Sequence, residues 1–184
     1  LRNAQVLTLP GRLSRLKGHE EFIKLINELR VRGLPVYGLI AGGVEPGRQR
    51  YADQLQYQVQ TRGLNDAILF AGHRADMREI YATSTLVLSL SAQPESFGRT
   101  VLEALSLGIP VAGYDHGGVG EILHRLYPAG LTPPGDLRSL MERVIALLTA
   151  APPVPMEPVF TLQSMLDETL ALYEWLYQTS RSHT

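Results

Sequence analysis

The chain has no cysteine, and that absence removes several functions at once. Disulfide frameworks, thiolate metal sites and cysteine nucleophiles are excluded, and a reducing compartment such as the cytoplasm fits. Neither sign of charge is in surplus: 17 Lys and Arg stand against 18 Asp and Glu, for a formal net charge of −1. General binders of nucleic acid or anionic membranes carry a basic excess or stripe, so neither class is expected. No apolar run approaches the roughly 20 residues that a spanning helix needs, and no secretory leader opens the sequence. An initiating methionine is missing too. The chain starts Leu1-Arg2-Asn3 and enters a strand-like run almost immediately, which reads as a processed piece of a longer protein or one whose leader is not covered.

What is present is ordinary globular material. With 184 residues, 45% apolar and 19% charged, the chain suits one packed domain and is short for two. Short aliphatic runs alternate with helical patterns. Residues 5–9 read as a buried strand and 17–32 as a helix, where Phe22, Leu25, Ile26 and Leu29 share one face and Gly33 follows as a left-handed C-cap. Further strands are expected at 35–41, 67–71, 86–90, 110–113 and 129–132. The helices between and after them fall at 48–62, 76–82 (capped by Asp76), 99–107 and 136–150.

Strands and helices alternating at these lengths make βαβ units. The expected fold is α/β, a doubly wound Rossmann-like parallel sheet over residues 1–150. Such sheets bind ligands beyond the carboxyl ends of their strands, at the switch in strand order. The unusual residues fall there: Arg12, Gly42-Gly43, His73-Arg74, Glu95-Ser96-Phe97-Gly98 and Gly117-Gly118 all follow strands. Residues 151–184 form a second segment. Pro152, Pro153, Pro155 and Pro158 mark an extended crossover, and residues 162–179 a helix with Met165, Leu166, Leu170, Tyr173 and Leu176 or Tyr177 near one face. Set apart from the sheet, that helix is expected to pack on something the chain lacks.

The segment 94–104 is the most informative. Glu95 precedes a helix and Glu103 lies inside it, eight positions on. Free N–H groups around Phe97, Gly98, Arg99 and Thr100 would hold a phosphate or diphosphate, and Gly98 allows close backbone approach. Glu103, about 7 Å further along the helix at 1.5 Å per residue, is placed for neutral hydroxyls such as those of a ribose, and Glu95 for hydroxyls of a sugar. Spacing alone favours the plainer alternative, two solvated surface glutamates. Arg12 and Lys17 would supply positive charge, Lys17 opening a helix whose dipole opposes it unless an anion lies between; an ordinary basic loop would look the same. His73-Arg74 would line the crevice near a nucleobase edge, or be structural. Asp115-His116-Gly117-Gly118 would approach a phosphate, or be only a tight connection. No dinucleotide fingerprint, P-loop or metal-ligand spacing is present.

In order along the chain, these segments resemble the C-terminal domain of GT-B-fold retaining glycosyltransferases, family four. The resemblance runs through Pro10-Gly11-Arg12-Leu13, Lys17-Gly18-His19, Ile40-Ala41-Gly42-Gly43, Phe70-Ala71-Gly72-His73, Glu95-x-Phe97-Gly98 with Glu103-Ala104, Gly108-Ile109-Pro110-Val111, Gly117-Gly118-x-x-Glu121 and Pro133-Pro134-Gly135-Asp136. Each piece is weak and the ordered set is strong, which reverses the reading of the two glutamates. Arg99, where an aliphatic residue is usual, and His116 before the glycine pair depart from the common pattern.

The resemblance implies a nucleotide diphosphate sugar of UDP or GDP type as donor, with no cofactor and no metal. Arg12, Lys17 and the amides of Phe97, Gly98, Arg99 and Thr100 would take the diphosphate, and Glu103 the ribose. Gly43, His73 and Arg74 would border the nucleoside, and Glu95 would orient the transferred sugar as the catalytic carboxylate. It also implies an N-terminal domain that binds a glycan or lipid-linked acceptor and receives the last helix, so that the fragment alone would be inactive. Lipopolysaccharide or capsule synthesis, in the cytoplasm or peripherally at the inner face of the membrane, would follow by family analogy. The competing readings are a non-catalytic nucleotide-sugar-binding module, or a GT-B-fold synthase, phosphorylase or epimerase.

Overall fold

The computed structural model describes residues 4–45, 47–155 and 159–181; the unusual start at Leu1-Arg2-Asn3 and the expected crossover proline Pro158 lie outside the described residues. Six strands, β1 (Gln5–Pro10), β2 (Val36–Ala41), β3 (Ile68–Gly72), β4 (Leu86–Ser89), β5 (Val111–Tyr114) and β6 (Leu131–Thr132), form one sheet in the order β3-β2-β1-β4-β5-β6. Every pairing is parallel. The intervening helices are α1 (His19–Val31), α2 (Gln49–Thr61), α3 (Met77–Ala82), α4 (Arg99–Ser106), α5 (Gly117–Leu126) and α6 (Leu137–Ala150). Two helix groups flank the sheet, α1 with α2 and α6, and α4 with α5. Buried between them, β4 and β5 are apolar or small along their whole length, as strands covered on both faces must be. The doubly wound architecture is the one expected.

Most boundaries agree with the periodicity, and the exceptions have local causes. The apolar face of α1 carries Phe22, Leu25, Ile26 and Leu29, all fully buried, and Gly33 follows it at φ 80°. The helix expected from residue 17 starts only at His19. Gly18 sits at φ 75°, and a Cβ there would lie 2.1 Å from the Leu90 carbonyl oxygen, so the chain turns rather than continuing. Lys17 therefore ends a short 3-10 turn, Arg15–Lys17, and does not open α1. Asp76 does not cap α3 through its side chain; the carboxylate is engaged by Arg74 Nε at 2.8 Å. Asp136 does cap α6, its Oδ1 accepting from the Ser139 N–H at 3.0 Å.

One helix was not delimited by periodicity. Three of the first four residues of α5 are Gly117, Gly118 and Gly120, the weakest helix formers after proline. Tertiary packing of Val119, Ile122, Leu123 and Leu126 holds it. Beyond the sheet, residues 151–155 are irregular and α7 (Leu162–Arg181) runs for 20 residues with its side chains mostly exposed, including Met165, Leu170, Leu172 and Trp175. No helix among the described residues is long and apolar enough to cross a membrane.

Candidate active site

Strand order reverses between β1 and β4, so the loops leaving their carboxyl ends diverge and open a crevice. A cavity of about 600 Å³ lies there. The turn after β1 contributes Arg12, the end of β2 Gly42-Gly43, the loop after β3 His73-Arg74, and α3 Met77, Arg78 and Tyr81. From α4 come Arg99, Thr100 and Glu103. The left-handed Gly98, φ 86°, precedes α4; the Val101 N–H donates to the Gly98 carbonyl at 3.0 Å, and the N–H groups ahead of it in the first turn lack acceptors within the helix.

Glu103 is held from two sides. The Tyr81 hydroxyl donates to Oε2 at 2.9 Å, and Arg99 Nε stands 3.3 Å from Oε1. The two donors differ: Tyr81 is fully buried, whereas the Arg99 side chain is 84% exposed and its pairing is correspondingly weak. Burial, and then the Glu103 carboxylate beside it, push the Tyr81 phenol far above its ordinary range, so it remains a donor at any working pH.

The second carboxylate stands outside the lining of this cavity. Lys17 Nζ donates to Glu95 Oε1 at 2.8 Å, and Ser91 Oγ donates to the same oxygen. Residues 78 positions apart meet because the Ala92 N–H donates to the Leu16 carbonyl at 2.8 Å, fastening the loop after β4 beside the 3-10 turn. Burial alone would raise the Glu95 carboxyl. The Lys17 and Ser91 bonds outweigh it, and the net displacement is downward, so this half-buried group is a carboxylate. A side chain at Gly11 would meet Lys17 Cδ at 3.4 Å. Lys17 thus passes beside Gly11, which lines the cavity, and its ion pair with Glu95 stands at the rim, beyond that lining.

That loop is seated on α5. The Gly118 N–H donates to the Glu95 carbonyl at 2.8 Å, and a Cβ at Gly118 would lie 2.3 Å from the Phe97 carbonyl oxygen. The His116 ring bonds the Ser91 carbonyl through Nε2 at 3.0 Å. The glycine pair therefore serves close packing of α5 under the Glu95 loop.

Comparison with known proteins accords with this geometry. The family model for glycosyl transferases group 1 matches residues 2–155. The chain belongs to this family. The lipopolysaccharide core biosynthesis mannosyltransferase LpcC of Rhizobium leguminosarum bv. viciae is 32% identical over 61% of the chain and 32% of its own length. Anabaena Alr3699/HepE, solved in complex with UDP and glucose, superposes with a TM-score of 0.72 at 30% identity over 79% of the chain and 39% of that protein. The C-terminal domain of the group 1 glycosyl transferase LpcC from Francisella tularensis shares the fold, with a TM-score of 0.68 at 24% identity over 80% of the chain and 76% of that domain. The chain spans about a third of the length of the first two. Its fold is the C-terminal half of the GT-B architecture.

Within this group 1 domain, the residues singled out from sequence fall into three sets. Arg12, Gly43, His73, Arg74, Arg99, Thr100 and Glu103 converge on the cavity. Lys17 and Glu95 pair beside it. Phe97 and Gly98 lie outside the lining of the cavity at the start of α4, where the expectation concerns their main-chain N–H groups; the Phe97 ring itself meets Phe160 edge-on at 6.2 Å, on the chain leading into α7. All four of these cations are already partnered, Arg12 by Glu45 at 2.8 Å, Arg74 by Asp76, Arg99 by Glu103 and Lys17 by Glu95, so an incoming anion must compete for them. Sequence reasoning missed Tyr81 and Ser91. Ser91, four residues before Glu95, had a local signal; nothing in spacing connects Tyr81 to a glutamate 22 positions on. Among the described residues, no group of three or more His, Asp and Glu gathers as metal ligands do.

Proposed function

We propose that this domain is the donor half of a retaining glycosyltransferase that uses a nucleotide diphosphate sugar. The carrying observation is the arrangement of two unlike carboxylates around one crevice, Glu103 on the wall of the cavity and Glu95 paired with Lys17 at its rim. The nucleoside occupies the cavity, its base beside His73 and Arg74 and its ribose on Glu103. The diphosphate lies at the start of α4, where Gly98, Arg99 and Thr100 present N–H groups and Arg12 and Lys17 add charge. The sugar then reaches Glu95. UDP and glucose bound to a relative of the same fold support a donor of this class.

In the retaining step, an acceptor hydroxyl oxygen bonds to the anomeric carbon on the face that the diphosphate leaves. The anomeric C–O bond breaks as that one forms, and the hydroxyl proton passes to the departing phosphate oxygen. Lys17 and the α4 amides stabilise charge developing on that oxygen. Glu95, ionised and half-buried, orients the sugar and stabilises positive charge at its anomeric carbon. The acceptor, a glycan or lipid-linked sugar of the kind lipopolysaccharide-core relatives would use, binds on a domain beyond this chain, at the cytoplasmic side of a membrane. Calorimetric titration of the intact protein with UDP and GDP, and then with their hexose conjugates, tests this reading. Saturable binding of one pair is expected, weakened by Glu103→Ala, with turnover lost in Glu95→Gln beyond any change in KM. Absence of saturable binding by every one of them overturns it.

A further inference from the structure

Of the two donors on Glu103, only one is fixed. Tyr81 reaches the carboxylate from the carboxyl-terminal part of α3, and its ring is wedged in the core with 1% of its surface exposed. Two rotatable bonds carry the hydroxyl, and packing settles both. Glu103 itself has 41% of its side chain exposed, on a helix surface where a glutamate with three rotatable bonds has several available positions. Arg99, at 84% exposure and 3.3 Å, cannot restrict those positions much. The Tyr81 bond at 2.9 Å to Oε2 can: it anchors one carboxylate oxygen of a residue that lines the cavity, and the other is left with only the exposed Arg99.

We propose that Tyr81 is a positioning residue for nucleotide recognition, holding the Glu103 carboxylate in the one orientation that accepts both ribose hydroxyls. This rests on the ribose assignment made above for Glu103. A pre-oriented carboxylate avoids the ordering cost that a mobile one incurs when the ligand arrives. Occupation of Oε1 by ribose also displaces the exposed Arg99 guanidinium, which sits at the start of α4 and is then free to approach the diphosphate.

Tyr81→Phe in the intact protein tests this, because it removes one oxygen and keeps the ring in place. UDP and GDP are titrated into wild type and variant alongside their 2′,3′-dideoxy forms, with unfolding temperatures measured in parallel. The expected result is a loss of about tenfold in affinity for the ribose nucleotide that binds, the scale of one hydrogen bond to a charged group. For the dideoxy form, wild type and variant should bind alike, since no hydroxyl is left for Glu103 to receive. In turnover, KM for donor should rise while kcat holds within about twofold. A merely structural Tyr81 would weaken both nucleotides equally, and that outcome overturns the proposal. So does unchanged affinity in Tyr81→Phe. Failure of wild type to bind either ribose nucleotide rejects the donor-site reading itself, and is thereby distinguished from failure of this inference. Glu103→Ala supplies a second check: with the acceptor gone, adding Tyr81→Phe should cost less than about twofold further.

Discussion

Replacing Gly118 by alanine probes how the residue 94–98 loop is seated. The added Cβ would lie 2.3 Å from the Phe97 carbonyl oxygen and 2.5 Å from its carbonyl carbon and Cα. All three are backbone atoms, so no rotamer change relieves the clash. Bringing the nearest contact out to the 3.0 Å that real side chains respect requires α5 and the 94–98 loop to separate by about 0.7 Å. That shift also strains the 2.8 Å bond from the Gly118 N–H to the Glu95 carbonyl. Overpacking of this kind costs about 1–3 kcal/mol, and the better helix propensity of alanine offsets about 1 kcal/mol of it, leaving a net loss of up to about 2 kcal/mol by chemical denaturation. Turnover should suffer more. A displacement approaching 1 Å at a reacting geometry lowers kcat about a hundredfold, whereas Glu103 and Tyr81, on other elements, keep nucleotide affinity within about fivefold. Gly120→Ala is the control, since its Cβ would meet the Asp115 side-chain oxygen at 2.8 Å and backbone only from 3.2 Å, and should lower both quantities less than Gly118→Ala does. A Gly118→Ala protein with wild-type turnover and stability would refute the seating argument. Equal losses in Gly120→Ala would show instead that glycine content of α5 is what matters.

Two further outcomes follow from the ion pair and the buried ring. Lys17→Met leaves Glu95 with Ser91 as its remaining side-chain donor; stability should fall by about 1 kcal/mol, discounted for the partial exposure of both partners, and diphosphate affinity by about tenfold to a hundredfold in calorimetric titration. Acid sensitivity should come in two stages. Burial holds the His19 imidazole below its ordinary value of 6.5, so its neutral form favours folding above pH 6.5 and stability falls as pH drops from there through the folded value. The Glu95 carboxyl is displaced downward, so its contribution is complete above about pH 4.3, the unfolded value, and is lost as pH falls further. Denaturation curves from pH 8 to 3 should show His19→Gln flattening the upper stage and Glu95→Gln the lower; a slope in the wrong window for either would contradict the assignment.

The alternation of strands and helices was legible because burial on both sides of a parallel sheet demands aliphatic runs, and one-sided burial of α1 demands Phe22, Leu25, Ile26 and Leu29 at helical spacing. So was the location of the crevice, since topology places strand-end loops together whatever their sequence. Ordered motifs carried the family, and the candidate ligands around Glu103 came with it. What periodicity could not reveal was any contact between distant elements. The start of α1 depends on Gly18 pressing against Leu90, the existence of α5 on packing that overrides its glycines, and the role of Gly118 on the Phe97 backbone lying beneath it. Likewise Lys17 looked like a cation at a helix start and proved to be the partner of Glu95, and Tyr81 gave no sign of its bond to Glu103. Sequence by itself determined which local structures form and where a site must open, because those follow from propensity and the period of burial. Tertiary structure alone decided which charges are paired and which carboxylate is held, because hydrogen bonds and ion pairs act over about 3 Å and depend on how separate elements meet.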